Sequence, residues 1–445
     1  MTAALDDEPF TPLADALTRL EAAVSPLVGI ATRTLSTTHT TDETSLPNCA
    51  CELAPAHRTL GGPTVEFGSG AHPDGRRARA AAIGEAIERY SGVFLPFERL
   101  HCTTARAIGA EAVRPGRFAL FHPSQFDIPR FPLVPFTEDT PTTFVRGLAL
   151  DDGSPVFLPA ELVYLRRPDP TLASIAYATS SGLACGPTFT EAVLGALLEL
   201  VERDAVMLAW KCRLSLPLLD WSADSGLTDL DRRFFASTGL RFSVVDASVF
   251  LDLPIAISVL HGPPGSGAVL AVGAAAAAEI GEAWLRAISE SFGVYRWLRQ
   301  KLATESGRVP ADLDAIESFD DHMLFYSVEE NAGRAAFLDA SPARRPTSEV
   351  ASLEGSTSRA QIEALVARLA RHGVSAYAAD VTPPDVRELG LSVARVIAPE
   401  LCALDVSHRA RFLGGTRLTT AAHAAGLVPA PLDVSELNPL PHPFP

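Results

Sequence analysis

The chain has 445 residues, 47% of them hydrophobic and 20% charged, and a formal net charge of −16. That length exceeds one ordinary domain and suggests roughly two or three hydrophobic cores. The acidic balance argues against a nucleic-acid backbone as the main ligand, while short basic runs ("GRRAR", "YLRR", "PARRP") leave room for a local arginine site.

The N-terminus, "MTAALDDEPFTPLADAL", is acidic and lacks a continuous apolar stretch, so it is neither a signal nor a transit peptide. "LTRLEAAVSPLVGI" reads as a helix running into a strand. "TVEFGSG" is strand-like and leads through the turn "AHPDG" into an Ala-rich helix, "RRARAAAIGEAIERYSGVF", in which Ile83, Ala86, Ile87 and Tyr90 recur at helical spacing. A Pro- and Phe-rich stretch, "FHPSQFDIPRFPLVPFT", predicts loops and edge strands. "TFVRGLAL" and "PVFLPAELVYL" predict a hairpin around "DDGS".

"YATSSGLACG" is a Gly/Ser turn that opens a second long helix, "TEAVLGALLELVERDAVMLAWK". "LRFSVVDAS", "PIAISVLHG" and "AVLAVGAAA" predict successive strands, and "IGEAWLRAISESFGVYRWLRQKL" a third long helix. The polar "LDASPARRPTSEVASLEGSTS" reads as a surface loop or linker. "AQIEALVARLARHG" is an amphipathic helix with Gly373 at its C-cap, followed by strands in "VSAYAADV" and "LSVARVIAP". The fold class is α/β. The longest apolar run, "AVLAVGAAAAA", is too short to span a bilayer, so the expected location is the cytoplasm and no membrane contact is expected. Cys49 and Cys51 form a lone C-x-C with no second pair, so reduced thiols are expected rather than a zinc site.

Glu85, Glu88 and Arg89 in the first long helix repeat as Glu199, Glu202 and Arg203 in the second. Positions three apart share a helix face. Each helix taken alone is explained by a solvated face with simple ion pairs, worth about 0–1 kcal/mol each. Two such pairs inside apolar helices call for a shared reason, because burying like charges is costly unless cations lie between them. Face to face they would form a hard, oxygen-rich site suited to Mg2+, with Arg89, Arg203 and Arg286 placed to meet phosphate oxygens. Glu191 lies two turns before Glu199, and Arg286 with Glu290 forms an i, i+4 pair whose simplest reading is a salt bridge within the helix. The turns "FGSG" and "TSSG" would let N–H groups and hydroxyls approach an anion, although neither is a Walker A loop and no dinucleotide fingerprint is present.

The combination of "GSGAHPDGRRARAAAIGEAIERYSG", "TSSGLACGPTFTEAVLGALLELVERDA" and "LRAISESFGVYRWL" closely resembles the YcaO family, from about residue 60 to the C-terminus. "RVIAPEL" and the terminal P-x-P-x-P (Pro441, Pro443, Pro445) add to the resemblance. It implies a YcaO-type ATP-binding fold with mixed sheets and long packed helices. Residues 1–60 would be an N-terminal segment of the same subunit, 61–436 the ATP- and Mg2+-binding catalytic region, and 437–445 a tail entering the active site. A polyproline tail suits that task, being extended with little entropy left to lose.

The activity implied is cyclodehydration of Cys, Ser or Thr in a ribosomally made precursor peptide. The side chain attacks the preceding carbonyl, the hemiorthoamide oxygen is phosphorylated by ATP, and loss of phosphate leaves a thiazoline or oxazoline. By the same resemblance, Glu85, Glu88, Glu199 and Glu202 match the metal ligands. Ser69, Ser180, Ser181, Glu191, Arg203, Arg286 and Glu290 match nucleotide-contacting positions, and the three tail prolines help order the catalytic site. No general base is assigned. Many relatives carry Lys where this chain has Ser69, Ser at Ala81 and Asn at Ser181.

The cofactors implied are ATP and Mg2+. The partners implied are the precursor peptide, a ThiF-like leader-binding protein of the ubiquitin-activating-enzyme type acting in trans, a flavin dehydrogenase in the same pathway, and a second copy of the chain. About 60 residues before the first motif are too few for a leader-binding domain in the same chain. Thioamide- or amidine-forming members commonly lack the P-x-P-x-P ending. A non-catalytic scaffold need not retain the carboxylates. These are the competing readings.

Overall fold

The computed structural model describes residues 5–36, 43–56, 60–62, 66–263, 265, 269–304 and 309–445. Thr64 and Val65 of the strand-like "TVEFGSG" lie outside them. The chain groups into two compact units. The first holds residues 1–37, 47–200 and 354–401, and the second 38–46, 201–353 and 402–445.

In chain order the main elements are helix α1 (Leu13–Glu21), strands β1 (Ala31–Ser36), β2 (Asn48–Leu53) and β3 (Phe67–Ala71), helix α2 (Gly75–Val93), and strands β4 (His101–Thr103), β5 (Thr142–Ala149), β6 (Pro155–Pro159) and β7 (Leu183–Gly186). Helix α3 (Phe189–Lys211) follows, then β8 (Leu218–Asp220), β9 (Arg241–Asp246), β10 (Ile255–His261), β11 (Leu270–Ala276) and helix α4 (Ile280–Thr304). The remainder adds helix α5 (Phe319–Phe325), β12 (Arg344–Pro346), helix α6 (Ser358–Arg371), β13 (Tyr377–Asp380) and β14 (Ser392–Ile397). Among the described residues no helix is long and apolar enough to cross a membrane.

The first unit contains a three-stranded antiparallel sheet, β1-β2-β3, and a larger sheet ordered β4-β5-β13-β14-β7 with β6 paired to β5. The β5–β6 hairpin runs antiparallel, Phe144 opposite Pro159 and Leu148 opposite Pro155, as the turn "DDGS" predicts. Helix α2 starts at an Asp74 cap that accepts from the Arg76 N–H. Its buried face is mostly small, Ala78, Ala82, Ile83, Ala86 and Ile87, so β3 lies directly against it. A Cβ on Gly68 would sit 2.3 Å from the Ala82 carbonyl oxygen, and one on Gly70 2.2 Å from that of Ala78. The glycines of "GSG" therefore serve close strand–helix packing, a use the sequence pattern did not distinguish from anion binding. Helix α6 ends as expected, with Gly373 at φ +71° just past it.

The second unit is built on the sheet β11-β10-β9-β8-β12, antiparallel except for β8–β12. Helix α4 covers β10 and β11, with Ser258 and Ser291 hydroxyls bonded at 2.8 Å in an otherwise apolar contact. The stretch read as a polar linker is structured: β12 pairs with β8, and Arg345 binds the buried Asp246 at 2.7 Å. Arg345 supplies the partner that buried carboxylate requires. Two further buried ion pairs, Lys211–Asp405 at 2.9 Å and Arg417–Asp204 at 2.6 Å, tie the C-terminal stretch to the end of α3. Removing one partner from such a pair typically costs about 3–5 kcal/mol.

Candidate active site

In the first unit, α2 and α3 bring Glu85, Glu88 and Glu199 into one charged cluster with Arg89 and Arg395. Glu85 Oε2 accepts from the Ser69 N–H at 2.6 Å and from the Ser69 hydroxyl at 3.1 Å. Its other oxygen accepts from Arg89 Nη2 at 3.2 Å, and Arg89 Nε lies 3.9 Å from Glu88. Glu199 Oε2 accepts from the Gly182 N–H at 3.1 Å. Burial pushes the Glu88 carboxyl well above the usual carboxylate range; Arg89 and Arg395 oppose the shift, while Glu199 and Glu85 add to it. The Arg395 guanidinium is lowered to about 10 by burial, against the pull of Glu199 and Glu88. Three carboxylates thus share two guanidiniums, Glu88 and Arg395 deeper and Glu85 and Glu199 half-buried. Among the described residues no three metal-ligating side chains gather as a ready cage; the carboxylate oxygens turn to Ser69, Arg89 and Gly182.

The turn carrying Ser180 and Ser181 is fixed from several sides. Gly182 has φ +79°, and a Cβ there would lie 2.6 Å from the Val396 carbonyl oxygen, so only glycine fits. The Val396 N–H donates to the Gly182 carbonyl at 2.7 Å, and Leu183 N–H to that of Ser180 at 2.9 Å. Arg395 Nη1 donates to the Thr179 carbonyl at 2.7 Å. Ser181 is buried, while Ser69 on the edge strand β3 is exposed. Glu191, in the first turn of α3, accepts from the N–H and hydroxyl of Thr11 at 3.3 and 2.6 Å. It is held by the N-terminal segment, and the structure does not bring it into the carboxylate cluster.

In the second unit, Glu202, Arg286 and Glu290 gather at the end of β11. The Ala276 N–H donates to Glu202 at 3.3 Å, Arg286 donates to the Ala276 carbonyl at 3.3 Å, and the Ala274 N–H donates to Glu290 at 2.7 Å. Arg203 lies 3.5 Å from Glu202, donates to the Pro445 oxygen at 3.1 Å, and stacks over Phe444 at 4.5 Å.

The Pro-rich tail follows a buried course to that point. Asn438 N–H donates to the Lys211 carbonyl at 2.7 Å and Trp210 Nε1 to that of Leu440 at 3.1 Å. The Tyr326 hydroxyl donates to the Pro441 carbonyl at 2.5 Å. His442 stacks on His322 with ring centroids 4.2 Å apart, and burial holds both imidazoles below their ordinary range. Prolines suit this course because Pro441, Pro443 and Pro445 bring no N–H that burial would leave unpaired.

Sequence reasoning missed two residues of the first cluster. Arg395 is the one charged residue in the β14 sequence "SVARVI", a buried-strand pattern in which a lone cation signals a partner. The Cys185 thiol, on β7, is held above its usual range by burial and by Glu88; nothing in the sequence marked it among six scattered cysteines.

No curated protein matches the chain significantly. Among solved structures it is similar to a heterocyclase in complex with substrate and cofactor, with TM-score 0.82 and 22% identity over 100% of this chain. The chain spans 59% of that heterocyclase's length. It is also similar to YcaO from Methanopyrus kandleri bound with AMPPCP and Mg2+, with TM-score 0.62 and 18% identity over 88% of this chain and 91% of that one. A third likeness is to the E. coli microcin synthetase McbBCD complex with pro-MccB17 bound, with TM-score 0.62 and 14% identity over 95% of this chain and 98% of that one. At these identities the likenesses show the fold, a mixed α/β architecture shared with YcaO heterocyclases. The family model described as YcaO cyclodehydratase, ATP- and Mg2+-binding, matches residues 68–402, and the chain belongs to the YcaO family.

Proposed function

We propose that the chain is an ATP-dependent cyclodehydratase that closes thiazoline or oxazoline rings in a ribosomally made peptide. The observation that supports this reading is the gathering of Glu85, held by Ser69 and Arg89, Glu88, 3.9 Å from the same arginine, and Glu199, held by the Gly182 N–H, on two helices of one unit. Family membership supplies the cofactors, ATP and Mg2+. The donor set fits Mg2+: hard carboxylate oxygens that outnumber their arginines. Glu85, Glu88 and Glu199 would hold the ion, with Glu202 one turn further along α3. Bound there, Mg2+ would neutralise triphosphate oxygens.

In the proposed reaction, attack of a Cys, Ser or Thr side chain on the preceding backbone carbonyl closes the ring, ATP phosphorylates the resulting hemiorthoamide oxyanion and leaves ADP, and departure of phosphate with loss of the ring nitrogen's proton forms the C=N bond of the azoline. Arg203 and Arg286 are assigned to phosphate oxygens, for which guanidinium is well suited. Ser69, Ser180, Ser181, Glu191 and Glu290 are assigned to the nucleotide. The tail is assigned the task of fixing Arg203: its last residue accepts from that guanidinium, and Phe444 lies beneath it. The peptide is assigned to reach the enzyme through a leader-binding protein in trans, in the cytoplasm, with a flavin dehydrogenase completing azoles and two copies of the chain forming the working enzyme.

Purified chain, with a leader-binding partner, precursor peptide, ATP and Mg2+, is expected to yield peptide lighter by one water per ring, read by mass spectrometry. A gain matching exchange of oxygen for sulfur would point to thioamide formation. Tight peptide binding with unchanged mass would point to a scaffold. Either result would overturn the proposal.

A further inference from the structure

Arg395 is 4% exposed and sits in β14 opposite Leu183 of β7. Nothing in its apolar strand compensates its charge; its compensation comes from outside. One hydrogen bond, to the Thr179 carbonyl at 2.7 Å, holds the start of the Thr179–Gly182 turn. The next residue, Val396, holds the other end of the same turn through the Gly182 carbonyl, and Gly182 in turn donates to Glu199. Glu199 and Glu88 act on the guanidinium, and Arg89 opposes them. The Arg395 Nε–H is buried with no hydrogen-bond partner among the described residues. Packing alone does not explain a guanidinium there, because a buried charge is costly unless it is paired and its donors are used.

We propose that Arg395 is a positioning residue with two separable jobs: it is the resident cation that offsets Glu88 and Glu199 until a divalent ion binds, and it clamps the Thr179–Gly182 turn beside those carboxylates. This rests on the metal reading given above. The two jobs have opposite consequences. Removing the charge leaves three carboxylates to one arginine and strengthens their hold on a divalent ion. Removing the hydrogen bond frees the serine turn and weakens the nucleotide.

The test uses the full chain with Arg395→Met and Arg395→Lys. Mn2+ alone is titrated by electron paramagnetic resonance, and AMPPCP at saturating Mg2+ by calorimetry. R395M is expected to lower the Mn2+ dissociation constant about tenfold and to raise that of AMPPCP about tenfold. R395K keeps the charge and loses the planar fork, so Mn2+ binding should stay within about twofold while AMPPCP weakens. A purely structural role would weaken both ligands together. Parallel weakening, or no change in either, overturns the proposal. Should R395M not fold, R395K decides: weaker AMPPCP with unchanged Mn2+ supports the clamp, and loss of both refutes it. Glu199→Gln run alongside separates the two levels, since unchanged Mn2+ binding in that variant would refute the metal reading itself, whatever Arg395 does.

Discussion

Replacing Glu199 by Gln is expected to raise the dissociation constant of AMPPCP in Mg2+ about 100-fold. The change is small in shape: glutamine keeps an oxygen to accept the Gly182 N–H, so the Thr179–Gly182 turn stays in place. What is lost is the charge. A hydrogen-bonding or ionic contact to a charged group is worth up to about 3 kcal/mol, which corresponds to about 100-fold in affinity. The substitution also relieves Glu88, whose carboxyl Glu199 helps to push upward, so thermal stability should hold or rise while nucleotide affinity falls. Calorimetry with and without Mg2+ checks this. Affinity within about threefold of the native protein would remove Glu199 from the ion's ligands.

The second large effect is expected at the C-terminus. Deleting Pro443 to Pro445 takes away the Pro445 oxygen and the Phe444 ring, both of which engage Arg203. Ring formation should fall about 100-fold or more if Arg203 must be held in one orientation, the scale on which misplaced contacts cost rate. Phe444 is fully buried, so the deletion also costs about 3 kcal/mol of packing. The rest of the tail should remain seated, because Leu440, Pro441 and His442 keep their bonds to Trp210, Tyr326 and Asp405. Phe444→Leu separates the effects: it keeps most of the packing and removes the aromatic face from Arg203. Ring-formation kinetics beside a melting curve reads both. Retained activity in the deletion would remove the tail from the mechanism.

Much of this was legible in the residues. Periodicity located the three long helices, and the repeated Glu-x-x-Glu-Arg singled out Glu85, Glu88, Glu199 and Glu202 because each pattern sits in an apolar helix that cannot solvate it cheaply; the first three lie in one charged cluster, whereas Glu202 accepts from the Ala276 N–H of β11. What remained hidden depended on long-range placement. Arg395 lies 196 positions after Glu199 in the numbering, and no local pattern announces that a strand cation will face a distant helix. The glycines of "GSG" look alike whether they admit an anion or a helix; only the Ala78 and Ala82 carbonyls at β3 decide it. "SPARRP" read as linker because its polarity is local, whereas its order comes from β8 and from Asp246, more than 90 residues earlier. The buried path of the tail likewise depends on Trp210, Tyr326 and His322, none of which its own composition names.

Glu85 and Glu88 of one helix and Glu199 of another are proposed to hold a divalent cation against a triphosphate. Anomalous diffraction from crystals grown with Mn2+ and AMPPCP tests this most directly. The expected result is a manganese peak ligated by oxygens of Glu88 and Glu199, at coordination distances of about 2.0–2.2 Å, with phosphate oxygens completing its shell. A manganese ion bound to the nucleotide with neither carboxylate coordinating it would refute the ligand assignment.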